Sequence, residues 1–495
     1  MPDEQGTEQH VTRTPGPPRV LVIWPPQVLS YFNAGHHLAL YQVAGHLRAK
    51  LPDAEVRVCD ATVQRLTWKD IGDDLYQRQY DVIAVMNDLD GIDGLRRFLT
   101  YAKELSPGSR TVTFGRLSGM NPGFFQQYDL DAIVHRGDFE PGVHAAVTAF
   151  LDGDGEGDRE GDRDGTGDGN GDGGRAGSLP GVHRRLAGRW IETDRPGLFL
   201  EPEEWVLPGP DEIPYDRYDE TYGNDANKFC GIPKRRELVV PAARGCPIGC
   251  SYCEVHPIFG KRERRLSVDR VLRYIEDSFA ESPFEYVAFY APTFTLDRPW
   301  VMELCERLIA QGSRYPWKCA TTMHHLDAEL VRQMGRSGCV RVSVGLETLE
   351  PAGRGALPRA KHQDETDLDE LSGWCAAAGV ELNCFVIAGL PGTSVAGAQQ
   401  TIATVHSLGG RARPTVYCPT EKMRPDLTES QMAGYNRQLF VPGSHDLTPG
   451  ELHDAYGLVF GHQPDQTTVF RRIPQHEPSS PRVDTAPRPS TSEPS

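Results

Sequence analysis

The feature that most constrains this chain is Cys246-Pro247-Ile248-Gly249-Cys250-Ser251-Tyr252-Cys253, three cysteines in eight residues with the spacing C-x3-C-x2-C. A cube of four irons is normally held by four cysteine thiolates. Three thiolates leave one iron open, and an open coordination site is where a substrate or cofactor binds. A residue spans at most about 3.5 Å, so loops of three and two residues let these thiolates converge on one small cluster. Gly245 and Gly249 allow the backbone to fold tightly around it. Two other readings of the same residues stay open. One is a zinc knuckle completed by His256, since structural zinc takes four nitrogen or sulfur ligands; the other is a disulfide pair.

The sequence around this motif alternates strand and helix. A strand over 237–241 runs straight into the cysteine loop. Helix 268–279 follows, with Ser267 as its N-cap. Then come strand 286–290, helix 300–311, strand 317–322, helix 328–334, strand 339–345, helix 365–378, strand 381–388, helix 395–408 and strand 414–418. Six strands make a partial barrel, where a closed one has eight. The cysteine spacing, the aromatic Tyr252 before the last cysteine and this order of elements resemble the radical S-adenosylmethionine (radical SAM) superfamily. The resemblance implies a 4Fe–4S cluster on Cys246, Cys250 and Cys253 whose open iron takes the amino and carboxylate groups of S-adenosylmethionine (SAM). It also implies cleavage of SAM to methionine and a 5′-deoxyadenosyl radical, with an electron donor of flavodoxin or ferredoxin type. Three further stretches take cofactor-binding roles from it: Tyr252 beside the cluster, Glu347 in Val344-Gly345-Leu346-Glu347-Thr348, and Gly389 and Pro391 in Ala388-Gly389-Leu390-Pro391-Gly392. Glu347 would reach the ribose or amino acid part of SAM, and the glycines would let the adenine ring approach the backbone. The plainer reading of Glu347 is a carboxylate paired with an arginine such as Arg341.

Ahead of the barrel, strands are expected over 20–24, 55–60, 80–86, 110–115 and 131–134, with helices over 37–50, 95–105 and 142–151. Strands alternating with helices indicate a doubly wound α/β domain, with ligands at the carboxyl ends of its strands. This order resembles the cobalamin-binding domain that precedes many radical SAM barrels. The fold class expected is therefore α/β: a Rossmann-like, B12-binding-like domain followed by a partial (β/α)6 barrel. The chain departs from that cobalamin pattern in three places. It has no Asp-x-His-x-x-Gly, its fourth strand ends Gly115-Arg116 in place of a Gly-Gly pair, and Gly-Glu-Gly-Glu appears only as Gly137-Asp138-Phe139-Glu140. An arginine at 116 would fill space the cofactor uses, so a domain that keeps the fold without the ligand is the other reading.

Composition divides the chain further. Its net charge is −17, of which residues 152–174, with nine acidic and two basic residues, supply about seven units. That Gly/Asp stretch cannot bury a core. Asp168-x-Asn170-x-Asp172-Gly173 opens like a calcium loop, but Leu179 stands where a bidentate Glu is needed. The expected organisation is an arm over 1–18, a cobalamin-binding-like domain over 19–151, a flexible linker over 152–178 and an irregular connection over 179–235 with a lone Cys230. The barrel over 236–425, an extension over 426–473 and a Pro/Ser-rich tail over 474–495 complete it. An acidic protein disfavours nucleic acid as a partner, the basic run Lys261-Arg262-Glu263-Arg264-Arg265 notwithstanding. No apolar run reaches the roughly 18 residues of a membrane span, and no signal core is present. Eleven cysteines, mostly in one half, suit a reduced, cytoplasmic setting.

No catalytic residue is assigned. Tyr290 and Thr293 are expected to face SAM or substrate, His324 or His325 to act as acid or base or as loop histidines, and Cys319, Cys339, Cys384 and Cys418 to be small buried hydrophobes or a catalytic thiol. The leading reading is radical dehydration of a small-molecule intermediate, resembling the 3′-deoxygenation of aminosugars such as paromamine in antibiotic biosynthesis. A partner NAD(P)H reductase would finish it, and Asp297 and Glu347 would receive the polycation. The alternative is a cobalamin-dependent methyltransferase acting on an unactivated carbon or phosphorus. A zinc-stabilised barrel that binds a partner is the non-enzyme reading.

Overall fold

A computed structural model describes residues 16–26, 37–88, 92–153, 178–222, 232, 235–435 and 447–460. Most of the expected arm and the Gly/Asp linker with its calcium-like loop, together with Cys230 and the expected tail, lie outside these residues. The first domain is built on β1 (Arg19–Trp24), β2 (Glu55–Asp60), β3 (Val82–Asn87), β4 (Arg110–Gly115) and β5 (Ala132–Val134), all parallel. Their spatial order is β2-β1-β3-β4-β5. The strand order reverses between β1 and β3, and ligands bind such folds at that point. Helices α1 (Leu38–Lys50), α2 (Trp68–Arg78), α3 (Asp93–Leu105), the short α4 (Arg116–Met120) and α5 (Phe139–Leu151) cover the two faces. Val20, Val22 and Trp24 of β1 pack with α1 and α5, while Leu21 and Ile23 pack with α2 and α3. That two-sided burial is why β1 reads as an unbroken apolar run.

Several elements lie outside the sequence reading, a helix and a hairpin of the first domain among them. Helix α2 carries few apolar residues, yet it starts with a full capping box in which Thr67 and Asp70 exchange bonds; that signal was present and unread. The connection after residue 178 is not irregular throughout. β6 (Val182–Leu186) and β7 (Arg189–Ile191) form a hairpin that extends the first sheet antiparallel to β5. The turn at Ala187-Gly188 has two positive φ angles, as tight hairpins require.

After α6 (Tyr215–Tyr222), β8 (Glu237–Pro241) opens the second domain. A two-residue ladder, β9 (Ala243–Arg244) with β10 (Arg264–Arg265), closes the base of the cysteine loop, and α7 (Val255–Phe259) lies inside that loop. The order then runs α8 (Val268–Glu281), β11 (Tyr286–Tyr290), α9 (Arg298–Ala310), β12 (Trp317–Thr321), α10 (Ala328–Arg336) and β13 (Cys339–Glu347). It continues with α11 (Glu365–Ala378), β14 (Glu381–Ala388), α12 (Val395–Ser407), β15 (Arg411–Val416), α13 (Glu429–Ala433) and α14 (Pro449–Phe460). The six strands are parallel in the order β15-β14-β13-β12-β11-β8, the expected open (β/α)6 arrangement. Ser267 caps α8 as expected. The last strand begins three residues before its expected start because Pro414 lies inside it; β15 is an edge strand, where proline is tolerated.

One hydrophobic core passes through both domains. It joins Val20, Leu40 and Val143 to Trp205 and Tyr218 of the connection and to Leu238 and Val240 of the barrel.

Candidate functional site

The three cysteines sit on the loop between β9 and β10, at the carboxyl end of β8. The loop turns on Gly245, whose φ is +82°; a Cβ there would lie 2.1 Å from the Arg262 carbonyl oxygen. The Cys246 amide donates to the Gly260 carbonyl at 3.1 Å, and the Cys253 amide to the Cys250 carbonyl at 3.1 Å. None of the three cysteines is in a disulfide, and all are half-buried. Among the described residues no three His, Cys, Asp or Glu side chains close on a single ion. A cluster of several irons spreads its thiolates over different metals, and three reduced cysteines on one pinned loop suit that requirement.

A cation stands beside them that sequence reading missed. Lys361 is buried and its ammonium donates to the Glu347 carboxylate. Burial works against that charge, yet Glu347, Cys250 and Cys253 hold the ammonium above the usual lysine value. Lys361 also lies 5.8 Å from the centre of the Tyr252 ring. Burial pushes the Cys250 thiol up while Lys361 pulls it down. Glu347 is 4% exposed and has a φ of +64°, a conformation that costs a non-glycine residue roughly 1–3 kcal/mol. The β13–β14 register shifts between Gly345 and Glu347, so a bulge aims this carboxylate. Its partner is Lys361, not Arg341, which pairs with Glu381 at 2.6 Å.

Tyr252 packs with Leu357, Ile387, Leu390 and Tyr417 at the ends of β14 and β15. Gly389 and Pro391 follow β14 directly, and Gly389 has a φ of +79°. The structure thus brings Tyr252, Glu347, Gly389 and Pro391 to the same mouth as the cysteine loop. Thr293 is buried, with its hydroxyl 3.7 Å from the Cys246 sulfur. Tyr290 is 66% exposed at the end of β11.

Other candidates have different roles. Asp297 is the N-cap of α9, accepting from the Trp300 amide at 3.1 Å. Cys339 and Cys384 are buried, and with Cys319 they join the core outside the barrel among the helices. Cys418 donates to the Tyr435 carbonyl at 2.7 Å, packed against the first domain. None of these four faces the barrel interior. The His324 and His325 rings lie 4.3 Å apart, tilted by 46°, and His324 lines a pocket with Arg359, His362 and Trp374.

The carboxyl edge of the first sheet faces the same region. The Arg116 guanidinium donates to Asp88 at 2.7 Å and to Glu254 at 3.0 Å, and Glu254 immediately follows Cys253. Asp138 accepts two bonds from Arg264, at 2.6 and 3.0 Å, and Glu140 accepts two from Arg244, at 2.6 and 3.1 Å. Burial pushes the Glu140 carboxyl up, yet Arg244 holds it below the usual range. The Gly137–Glu140 stretch therefore ties the first domain to both strands that close the cysteine loop. Sequence reading offered no signal for these pairs, whose partners lie more than 100 residues apart.

Residues 240–405 match the radical SAM superfamily. This match supersedes the zinc reading. An uncharacterized methyltransferase of Pyrococcus horikoshii, PH0819, is 29% identical over 164 residues, 32% of this chain and 35% of the relative. The bacteriochlorophyllide d C-12(1)-methyltransferase of Chlorobaculum tepidum is 31% identical over 124 residues, 24% of this chain and 26% of the relative. The chain thus matches only about a third or less of either curated relative. Among solved structures, the radical SAM methyltransferase TsrM of Kitasatospora setae superposes with a TM-score of 0.62 at 16% identity, over 81% of this chain and 74% of its own. A second TsrM structure holds cobalamin and a 4Fe–4S cluster.

Proposed function

We propose that this chain, whose residues 240–405 are a radical SAM domain, is a cobalamin-dependent methyltransferase acting on a small molecule. The observation that carries the reading is the pairing of the two domains: a doubly wound sheet whose carboxyl edge meets the cysteine loop of the barrel, through Arg116 and Glu254. TsrM shares this two-domain fold, and two of the three curated relatives are methyltransferases, the third being the anaerobic magnesium-protoporphyrin IX monomethyl ester cyclase of Rubrivivax gelatinosus. The dehydration reading finds no relative to support it. Its electrostatic argument also falls away, because Asp297 is spent on a helix cap and Glu347 on Lys361.

The residues suit the groups this function needs. Cys246, Cys250 and Cys253 would hold a 4Fe–4S cluster, Glu347 would bind the ribose or amino acid part of SAM, and Gly389 and Pro391 would face its adenine. A corrin is fringed with amides, and the switch-point edge offers polar partners in Asn87, Asp88 and Arg116. Arg116 replaces the second glycine of the expected pair, so contact there would go through a side chain and not the backbone. Bound together, these groups supply an electron for SAM cleavage and a methyl carrier. The chain's own work is orientation and exclusion of water. Lys361 fixes the direction of the Glu347 carboxylate, and Tyr252 with Tyr417 walls the cluster side of the mouth.

Anaerobic reconstitution with iron, sulfide and hydroxocobalamin, followed by desalting and metal analysis, tests this. The expected result is about four irons and one cobalt per chain. Full iron with no retained cobalt would remove the cobalamin-dependent reading and leave the radical SAM assignment standing.

A further inference from the structure

We propose that Lys361 tunes the electron-transfer step: its buried ammonium, held on the Cys250 side of the cysteine loop, raises the reduction potential of the iron–sulfur cluster. This role rests on the radical SAM reading and is independent of cobalamin. Three thiolates make the cluster site anionic, and reduction adds one further negative charge. The electron comes from an external donor of flavodoxin or ferredoxin type, which is oxidised by one electron. No proton moves, and Lys361 stays an ammonium throughout. A cluster's potential follows its net charge, the hydrogen bonds to its sulfurs and its exposure. A fixed cation beside it therefore favours the reduced form, and burial limits screening of that effect by salt.

The fold holds that cation in place. Lys361 ends the short 3-10 turn Arg359–Lys361. Its amide donates to the Pro358 carbonyl at 2.8 Å, and His362 Nε2 donates to the Leu357 carbonyl at 3.0 Å. Leu357 packs in one apolar group with Tyr252, the residue between Cys250 and Cys253. The Lys361 side chain is 10% exposed, and its ammonium lies 5.8 Å from the centre of the Tyr252 ring. Gly345 leaves room for the ion pair: a Cβ there would lie 2.5 Å from both Lys361 Nζ and Glu347 Oε1.

Glu347 does not cancel this charge at the cysteines. Burial pushes the Cys250 thiol up; Lys361 is the next influence and pulls it down, ahead of the opposing push from Glu347. Cys250 and Cys253 in turn join Glu347 in holding the Lys361 ammonium against the cost of its burial. The pair thus turns its positive end to the cysteine loop. Arg116, which reaches Glu254 next to Cys253, is matched by two carboxylates, Asp88 and Glu254. Among the described residues Lys361 is matched by one, Glu347.

The test is a redox titration of the anaerobically reconstituted full chain without SAM, with iron counted and the reduced cluster followed by electron paramagnetic resonance. In Lys361→Gln the ratio of reduced to oxidised cluster at a fixed potential is expected to fall at least fivefold, about 40 mV for one electron. Lys361→Arg, which keeps the charge, should stay within twofold of the unaltered protein. The double variant Lys361→Met, Glu347→Leu leaves neither charge unpaired and should also lower the potential. A merely structural Lys361 would change iron content or stability and leave the potential of the loaded cluster where it was. Full iron with an unchanged potential in Lys361→Gln overturns the proposal, as does an equal fall in Lys361→Arg. Should Lys361→Gln fail to fold, the double variant decides by the same criterion. An unaltered protein that takes up no iron defeats the radical SAM reading and this proposal with it; full iron with an unmoved potential defeats this proposal alone.

Discussion

Glu347 and Lys361 show how one residue's role depends on another that sequence reading passes over. Glu347 is held at a positive φ at the end of a buried strand, and Lys361 supplies its counter-charge from a polar loop 14 residues later. A buried ion pair contributes little against an apolar substitute, but removing one partner leaves an uncompensated charge. Lys361→Met is therefore expected to lose about 3–5 kcal/mol of stability in urea denaturation. The double variant Lys361→Met, Glu347→Leu should recover most of that loss. A single-variant loss below about 1 kcal/mol would match an exposed pair and show that Glu347 has another partner. Glu347 itself was legible from its place after a strand and before the glycine-rich turn. Lys361 was not, because nothing in the intervening residues signals the loop that carries it back.

At the scale of elements, the cysteine loop is a closed unit. β9 and β10 clamp its base, and the Gly260 carbonyl accepts from Cys246. Gly245 is needed on two counts: its φ is +82°, and any Cβ would overlap the Arg262 carbonyl. Gly245→Ala should therefore displace the loop. The expected outcome is less than half the iron of the unaltered protein after reconstitution, with an unchanged circular dichroism spectrum. Full iron loading would show that the loop adapts. Most strands of both sheets were legible because they are buried on both faces and read as apolar runs. The β6–β7 hairpin was not, since its residues are polar and it forms only where β5 offers an open edge. β15 was read late because a proline inside an edge strand looks like a boundary.

The whole molecule is held together by a buried ionic joint. Asp138 and Glu140 of the first domain meet Arg264 and Arg244 of the second, and Asp138 also accepts from the Leu200 amide at 2.9 Å. Asp138→Asn would leave two buried guanidiniums short of a counter-charge. It should cost about 3–5 kcal/mol, measured by urea denaturation, and added salt should restore little, since buried pairs are weakly screened. A loss that vanishes in high salt would place the joint at the surface. In the sequence these residues read as a degenerate cofactor motif. Their structural role appears only when the barrel loop is packed against them.

The chemistry of the cluster loop, the (β/α)6 order and the doubly wound domain ahead of it were determined by sequence alone. Each rests on local signals: cysteine spacing, apolar runs and caps. Tertiary structure decided what depends on contacts between distant segments. It paired Glu347 with Lys361 in place of Arg341, and set Arg116 between Asp88 and Glu254. Each such pair joins segments far apart in sequence, and no window along the chain contains both partners.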